Sequence, residues 1–164
     1  VVNPFDISRG RNVIVDPGVY DHAESQIIFF TNQSKPFSVN LRSVIGGSFG
    51  GTRYRETITG RYRAGDRFNV EATFQYNNFQ LPNGDFTANI LSTRLSYSFK
   101  PNIYLQGLIQ HNTSDKFWAA NVRFGWLQQA NTGLFVVWNY NLQDGDPLNN
   151  SFIIKYTRMF DILK

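Results

Sequence analysis

The chain has 164 residues, no cysteine, 17% charged and 16% aromatic residues, and a formal net charge of +4. The lack of cysteine excludes a disulfide framework, a cysteine-ligated zinc site and a cysteine nucleophile, and the basic residues are too scattered to form a nucleic-acid footprint. Charge is low against the roughly one quarter usual in soluble domains, yet the longest apolar stretches, Ile27–Phe30 and Leu134–Trp138, fall far short of the roughly 20 residues of a membrane helix.

Few charges, many aromatic rings and a mean hydropathy of −0.33 fit a chain that alternates lipid-facing and polar residues along strands. The first residues carry no signal-peptide pattern, which suits a mature protein and an internal fragment alike. Val1–Gly18, with Pro4, Gly10, Pro17 and Gly18, reads as an external loop or linker. From residue 19 to 164 the chain reads strand, turn, strand. Turn signals fall at Gln33–Pro36, Gly50-Gly51, Ala64–Asp66, Pro82–Asp85, Lys100–Asn102, Thr113–Asp115, Asn131–Gly133 and Asp144–Pro147, each supplying the Gly, Pro, Asn or Asp of a tight reversal. They delimit nine strands and leave no window with a helical period.

Alternation is clearest in five of these. In 37–49, Phe37, Val39, Leu41, Ile45 and Phe49 oppose Ser38, Asn40, Arg42 and Ser48. In 52–63, Tyr54, Ile58 and Tyr62 oppose Arg53, Arg55, Thr57, Thr59, Arg61 and Arg63. In 67–77, Phe68, Val70, Ala72, Phe74 and Tyr76 oppose Arg67, Asn69, Glu71, Thr73, Gln75 and Asn77. Leu91, Leu95, Tyr97 and Phe99 oppose Ser92, Arg94, Ser96 and Ser98; Trp118, Ala120, Val122, Phe124 and Trp126 oppose Asn121 and Arg123. A period of two places such sets on opposite sheet faces. The first, sixth and eighth strands alternate less cleanly: Leu134–Trp138 is apolar on both faces, and Ile103–Ile109 is so in part.

A soluble sandwich or lipocalin-like barrel that binds an apolar ligand also alternates. Three features favour a membrane: strands longer than the usual 5 or 6 residues or so, aromatic residues gathered at strand ends, where interfacial girdles sit, and a second face rich in Arg, Asn, Gln, Ser and Thr. The expected fold is therefore an all-β, antiparallel, up-and-down transmembrane β-barrel in the bacterial outer membrane. Its partners would be outer-membrane lipid and lipopolysaccharide and other envelope proteins.

Phe152, Ile154, Tyr156 and Phe160 share one face of the last strand, interrupted by Arg158, like the aromatic-ended strand read by the barrel-assembly machinery. If that strand ends in the periplasm, the connections at 50–51, 81–85, 112–116 and 143–150 face outside and those at 33–36, 64–66, 100–102 and 129–133 face the periplasm. Residues 1–17 then lie outside. Nine strands with an outside N-terminus break the even count of bacterial barrels, so the expectation is the C-terminal part of a larger barrel whose upstream strands belong to the same polypeptide.

Asp16–Tyr20, Thr31–Pro36, Leu81–Thr87, Arg94–Phe99 followed by Leu105–Gln110, and the closing Ser151–Phe160 together resemble a family of uncharacterised bacterial outer-membrane proteins. The resemblance spans nearly the whole chain. In that family a sandwich similar to carbohydrate-binding modules precedes a large C-terminal barrel. The sandwich has no counterpart here, so no sugar-binding residue carries over, and the family implies no activity.

Catalytic and cofactor chemistry finds little foothold. His22 and His111 lack a second ligand at metal spacing. His111–Asp115 contains the residue types of a hydrolase triad, as in a membrane lipase, but neighbours on a strand end point to opposite faces. Asp144-Gly145-Asp146 lacks the rest of a calcium loop, and Gly46–Gly51 lacks the helix of a phosphate loop. No enzyme activity, cofactor or metal is therefore expected. The remaining candidate is the arginine set Arg42, Arg53, Arg55, Arg61, Arg63, Arg67, Arg94 and Arg123. Facing a lumen it would favour anionic solutes; facing lipid it would be costly. The plainer alternative pairs it with Glu56, Glu71 and acids of the upstream part of the barrel, or with lipopolysaccharide phosphates at the rim. The function expected is that of a non-enzymatic solute pore, or of an anchor in an envelope complex.

Overall fold

A computed structural model describes residues 3–8, 10–129 and 132–158. Every regular element among them is a strand. Two short strands, β1 (Phe5–Asp6) and β2 (Ile14–Val15), pair with each other. Nine long ones follow: β3 (Glu24–Phe30), β4 (Phe37–Ser48), β5 (Gly51–Ala64), β6 (Phe68–Leu81), β7 (Gly84–Lys100), β8 (Ile103–Asn112), β9 (Phe117–Gln129), β10 (Thr132–Gln143) and β11 (Asp146–Thr157). Each pairs antiparallel with its neighbours in sequence, so the nine form one up-and-down sheet. This is the all-β architecture read from the sequence. The edges β3 and β11 are not hydrogen-bonded to one another.

The register assigns the two faces. Leu41 pairs with Ile58, Ile58 with Phe74 and Phe74 with Leu91, so the apolar sets of successive strands meet on one face. The other face joins the polar sets. Arg61 is level with Ser38 and Glu71, Glu71 with Arg94, and Asn121 with Asn139. Phe135 and Val137, which made β10 look apolar on both faces, lie on the polar side, Phe135 under the Arg123 guanidinium, 5.0 Å from its ring centroid. The Tyr104 ring flanks the same guanidinium at 5.9 Å. It does so by lying across Gly125, where a Cβ would come within 2.4 Å of the ring.

Two connections differ from the expectation. Gln143 to Asn150 is not an extended outer loop: Asp144 (φ 53) and Gly145 (φ 94) make a two-residue reversal, as hairpins with two left-handed residues do, and β11 starts at once. Phe49 leaves the apolar face for the β4–β5 turn (φ 48). There its ring takes edge contacts from Phe5, Tyr20 and His22, with centroids 5.6–5.8 Å apart. The expected turn at 129–133 and the terminal Phe160 lie partly or wholly outside the described residues.

Residues 3–8 and 10–18 fold back onto the sheet as a ribbon. The β6–β7 hairpin outruns β8, whose last partner on β7 is Ile90. Its tip carries Phe79, Leu81, Phe86 and Ala88, an apolar patch at one end of the otherwise polar face. Val13, 5% exposed, seats there with Leu81 and Phe86, and Ile7 and Phe49 pack around them. Polar ties hold the ribbon in place. Asn83 Nδ2 donates to the Ile14 carbonyl (2.8 Å) and to Asp16 (2.9 Å), and Arg11 Nη1 to the Thr87 carbonyl (2.9 Å). The turn itself is built on Asp6, which accepts from the Ser8 hydroxyl (2.6 Å) and amide (2.8 Å) and from the Gly10 amide (2.7 Å). Gly10 is at φ 101, which favours a residue without Cβ. Buried Ser8 Oγ in turn accepts from the Val13 amide (3.1 Å).

The Ser8 hydroxyl first, and the Gly10 amide next, hold the Asp6 carboxyl below its ordinary value of 3.8. A depressed carboxylate stabilises the folded turn above the unfolded value and ceases to do so as pH falls through the folded one. Hydrogen-exchange protection of the Val13 amide is therefore expected to hold at neutral pH and to fall once pH drops below about 4. In Asp6→Asn it should be low and insensitive to pH over that range. Equal protection in both proteins at every pH would mean that another contact holds the ribbon.

Candidate functional site

The polar face gathers the arginines. Arg42 (β4), Arg53, Arg55, Arg61 and Arg63 (β5), Arg94 (β7) and Arg123 (β9) share it, because their strand positions fall on one parity of a continuous register. Arg67 sits in the β5–β6 turn, where its carbonyl accepts from the Ser98 amide (2.7 Å). The carboxylates beside these guanidinium groups are Glu24 and Glu71.

Partners sort the arginines into engaged and free. Arg42 donates from Nε (3.2 Å) and Nη2 (2.7 Å) to Gln26 Oε1. Arg53 forms an ion pair with Glu24. Arg55 Nε donates to the buried amide of Asn77 (3.1 Å), which passes a bond on to the Ala88 carbonyl (3.0 Å). Arg61 clasps Glu71, with Nε 3.0 Å from Oε2. Arg63 Nη2 donates to the Gln33 carbonyl (2.6 Å) across the β3–β4 turn. Arg123 is held between the Tyr104 and Phe135 rings. Exposed Arg94 has no such contact among the described residues.

Glu56, one of the two acids named from the sequence as an arginine partner, points the other way. Its even position puts it on the apolar face, level with Ser43 and Tyr76, where it accepts from the Ser43 hydroxyl (2.6 Å). The acid that pairs with Arg53 is Glu24, from the far side of β4. Sequence reading missed it because pairing across two strands depends on the register of both.

The apolar face carries aromatic rings in two bands. Near the β5–β6 turn, Tyr62, Phe68, Tyr97 and Phe99 contact one another in series, with centroids 4.8–6.5 Å apart. Phe99 joins them through a register shift beside Lys100. Near the ribbon end lie Tyr54, Tyr76, the His111–Trp118 pair (4.0 Å) and the Trp138–Tyr140 pair (5.9 Å). Tyr54 and Tyr62, Phe68 and Tyr76, and Trp118 and Trp126 are each eight residues apart, about 26 Å along a strand. Ile58, Phe74, Leu91, Val122, Val136 and Ile154 occupy the belt between.

The triad residue types do not assemble. His111 lies tilted against Trp118 on the apolar face, whereas Asn112, on the polar side, donates to Asp115 (2.8 Å). His22 contacts the Gly47 carbonyl through Nδ1 (3.1 Å). Among the described residues no three His, Cys, Asp or Glu side chains cluster as a metal site requires. At the ribbon end a cleft of about 740 Å³ opens between Gly10, Arg11 and the β8–β9 and β10–β11 turns. Its charges are mixed, and Lys116 is already paired with Asp144 (2.9 Å). Neither a known protein family nor a curated protein sequence matches the chain.

Arg61 and Glu71 retain side-chain exposures of 38% and 26%, so solvent screens their attraction. A double-mutant cycle of Arg61→Gln and Glu71→Gln is expected to give a coupling of no more than about 1 kcal/mol in chemical unfolding. A coupling several times larger would place the pair in a dry environment.

Proposed function

We propose that this chain forms wall of an outer-membrane β-barrel, with its apolar face against lipid and its arginine-bearing face lining an aqueous lumen that favours anionic solutes. The observation that carries the reading is a single-layered sheet with opposite chemistry on its two sides. Leu41, Ile45, Ile58, Phe74, Phe152 and Ile154 are 39–65% exposed on the apolar side, and among the described residues nothing covers them. The chain exposes 11318 Å², where a globular protein of its mass exposes roughly 8,300 Å². Water would not tolerate a contiguous apolar face of this size on a monomer. A belt edged by aromatic bands suits a bilayer, whose hydrocarbon is matched by an apolar band about 25 Å tall in such barrels.

The polar face then meets water. Seven guanidinium groups on lipid-facing positions would each cost about 2–4 kcal/mol at the bilayer midplane; in a hydrated lumen they cost little and attract anions. The ribbon, the β4–β5, β6–β7, β8–β9 and β10–β11 turns and the 740 Å³ cleft gather at one end, which on this reading is the outer mouth. Strands of the same chain outside this sequence would complete the wall. Lipopolysaccharide is the expected neighbour at the mouth. The resemblance to outer-membrane proteins noted in the sequence points the same way.

The test is a pair of substitutions at adjacent positions of β5. Ile58→Arg, on the apolar face midway between the bands, is expected to lower folding stability in lipid vesicles by about 2–4 kcal/mol. Thr59→Arg, on the polar face, should be nearly neutral. In a soluble protein with the arginine face outside, Ile58→Arg would do similar harm, but the wild-type chain would stay monomeric without detergent, and that result overturns the membrane reading. Planar bilayers holding the protein should show anion-selective conductance that weakens as salt rises.

A further inference from the structure

We infer that the polar face contains a discrete oxyanion-binding station centred on Arg94, for a phosphate or a small carboxylate, and that the other six arginines of that face serve mainly to build the wall. The inference rests on the proposed reading of that face as hydrated. Three observations lead to it. First, of the seven arginines on this face, the partners described above engage Arg42, Arg53, Arg55, Arg61, Arg63 and Arg123 within the fold, leaving Arg94 exposed and without a hydrogen bond, ion pair or ring contact among the described residues. A guanidinium offers a planar fork of donors matched to a two-oxygen acceptor; here that fork is unused.

Second, Arg94 stands on the divide between two adjoining depressions of about 300 and 290 Å³. Arg61, Arg63, Asn69 and Glu71 line the first. Ser96, Gln106 and Asn121 contribute neutral polar groups to the second. A small anion held by Arg94 would thus find donors on either side, and either depression has room for it. Third, the charge is unbalanced there. Glu71 lies between Arg61 and Arg94 in the register but is clasped by Arg61 through both Nε and Nη2, so three guanidinium groups meet one carboxylate. Asn69 adds an unpaired polar group: its side-chain oxygen is buried without a partner, and rotation of the amide exchanges that oxygen for an NH2 donor.

The same geometry predicts opposite effects for two neighbours. Removing Arg94 removes the fork. Neutralising Glu71 frees the Arg61 fork and deletes the repelling charge. Inorganic phosphate titrated into the full chain in a neutral detergent at fixed ionic strength, followed by calorimetry, is expected to bind at one saturable site. Arg94→Gln should weaken it roughly tenfold or more, the scale of one charge-assisted contact. Arg94→Lys should recover part of the loss, Glu71→Gln should tighten binding, and Arg123→Gln should leave it unchanged. Binding that ignores Arg94→Gln, that weakens equally in Arg123→Gln, or that never saturates overturns the station. The pore fails separately: Arg94-dependent phosphate binding by a protein that conducts no ions keeps the station and removes the pore. Anion conductance with no Arg94-dependent binding does the reverse.

Discussion

Everything in this molecule depends on one layer of antiparallel hydrogen-bonded pairing. A strand offers its side chains alternately to two sides, and an unbroken ladder from β3 to β11 extends that choice across nine strands. A slip of one residue between β5 and β6 would carry Arg53, Arg55, Arg61 and Arg63 out of line with Glu71 and Asn77. The arginines therefore share a face because the ladder is continuous, not because they attract one another. The same rule puts Glu56 among Ile58, Tyr54 and Tyr76, one position from an arginine in sequence and on the opposite side of the sheet.

The ribbon is the exception, and it explains where the alternation breaks down. Beyond Asn77 the polar face turns apolar, with Phe79, Leu81 and Phe86, and a hydrated surface has no use for such a patch. Val13 and Ile7 cover it, so the chain has a small conventional core where, among the described residues, it has two layers. Of its polar anchors, the Asp6–Ser8 turn is local, whereas the Asn83 bonds tie it to the β6–β7 turn across more than sixty residues of sequence. In the proposed setting this places an ordered segment inside the mouth, seated on one end of the arginine-bearing face.

Much of this was legible in the sequence, for a physical reason. Long strands with one wet and one dry face write their structure as a period of two, and turns between them need Gly, Pro, Asn or Asp, so the nine strands and both faces of β4 to β7 could be read directly. Relations between strands could not. Glu24 meets Arg53 across an intervening strand, and Tyr104 reaches Arg123 because Gly125, on the next strand, has no side chain. Neither follows from any single window. The ribbon went unread because β1 and β2 are two residues long, although Val13-Ile14-Val15, framed by Asn12 and Asp16-Pro17, carried the signal of a short strand between turns. Gln143–Asn150 misled in the opposite sense: its Asp, Gly, Pro and Asn suggested a loop, but the reversal uses only Asp144 and Gly145, and the following residues pair with β10.

The edges of the sheet limit how such a wall can close. Adjacent strands alternate in direction, so β3 and β11, eight steps apart, run the same way. Closing the nine strands on themselves would join these two in parallel. A second copy rotated about the barrel axis gives the same parallel contact, since rotation about that axis preserves strand direction. Antiparallel closure requires an odd number of further strands between β11 and β3. On the edge strands Ile27, Phe29, Phe152 and Ile154 stay 58–75% exposed, and no charged residue or proline blunts the middle of β3 as an edge built to stay free would have it. In hydrocarbon an unpaired row of backbone groups costs several kcal/mol for each group, far more than any side-chain contact on either face contributes. On the proposed reading, completing the ladder is thus the condition for the arginine face to enclose water at all.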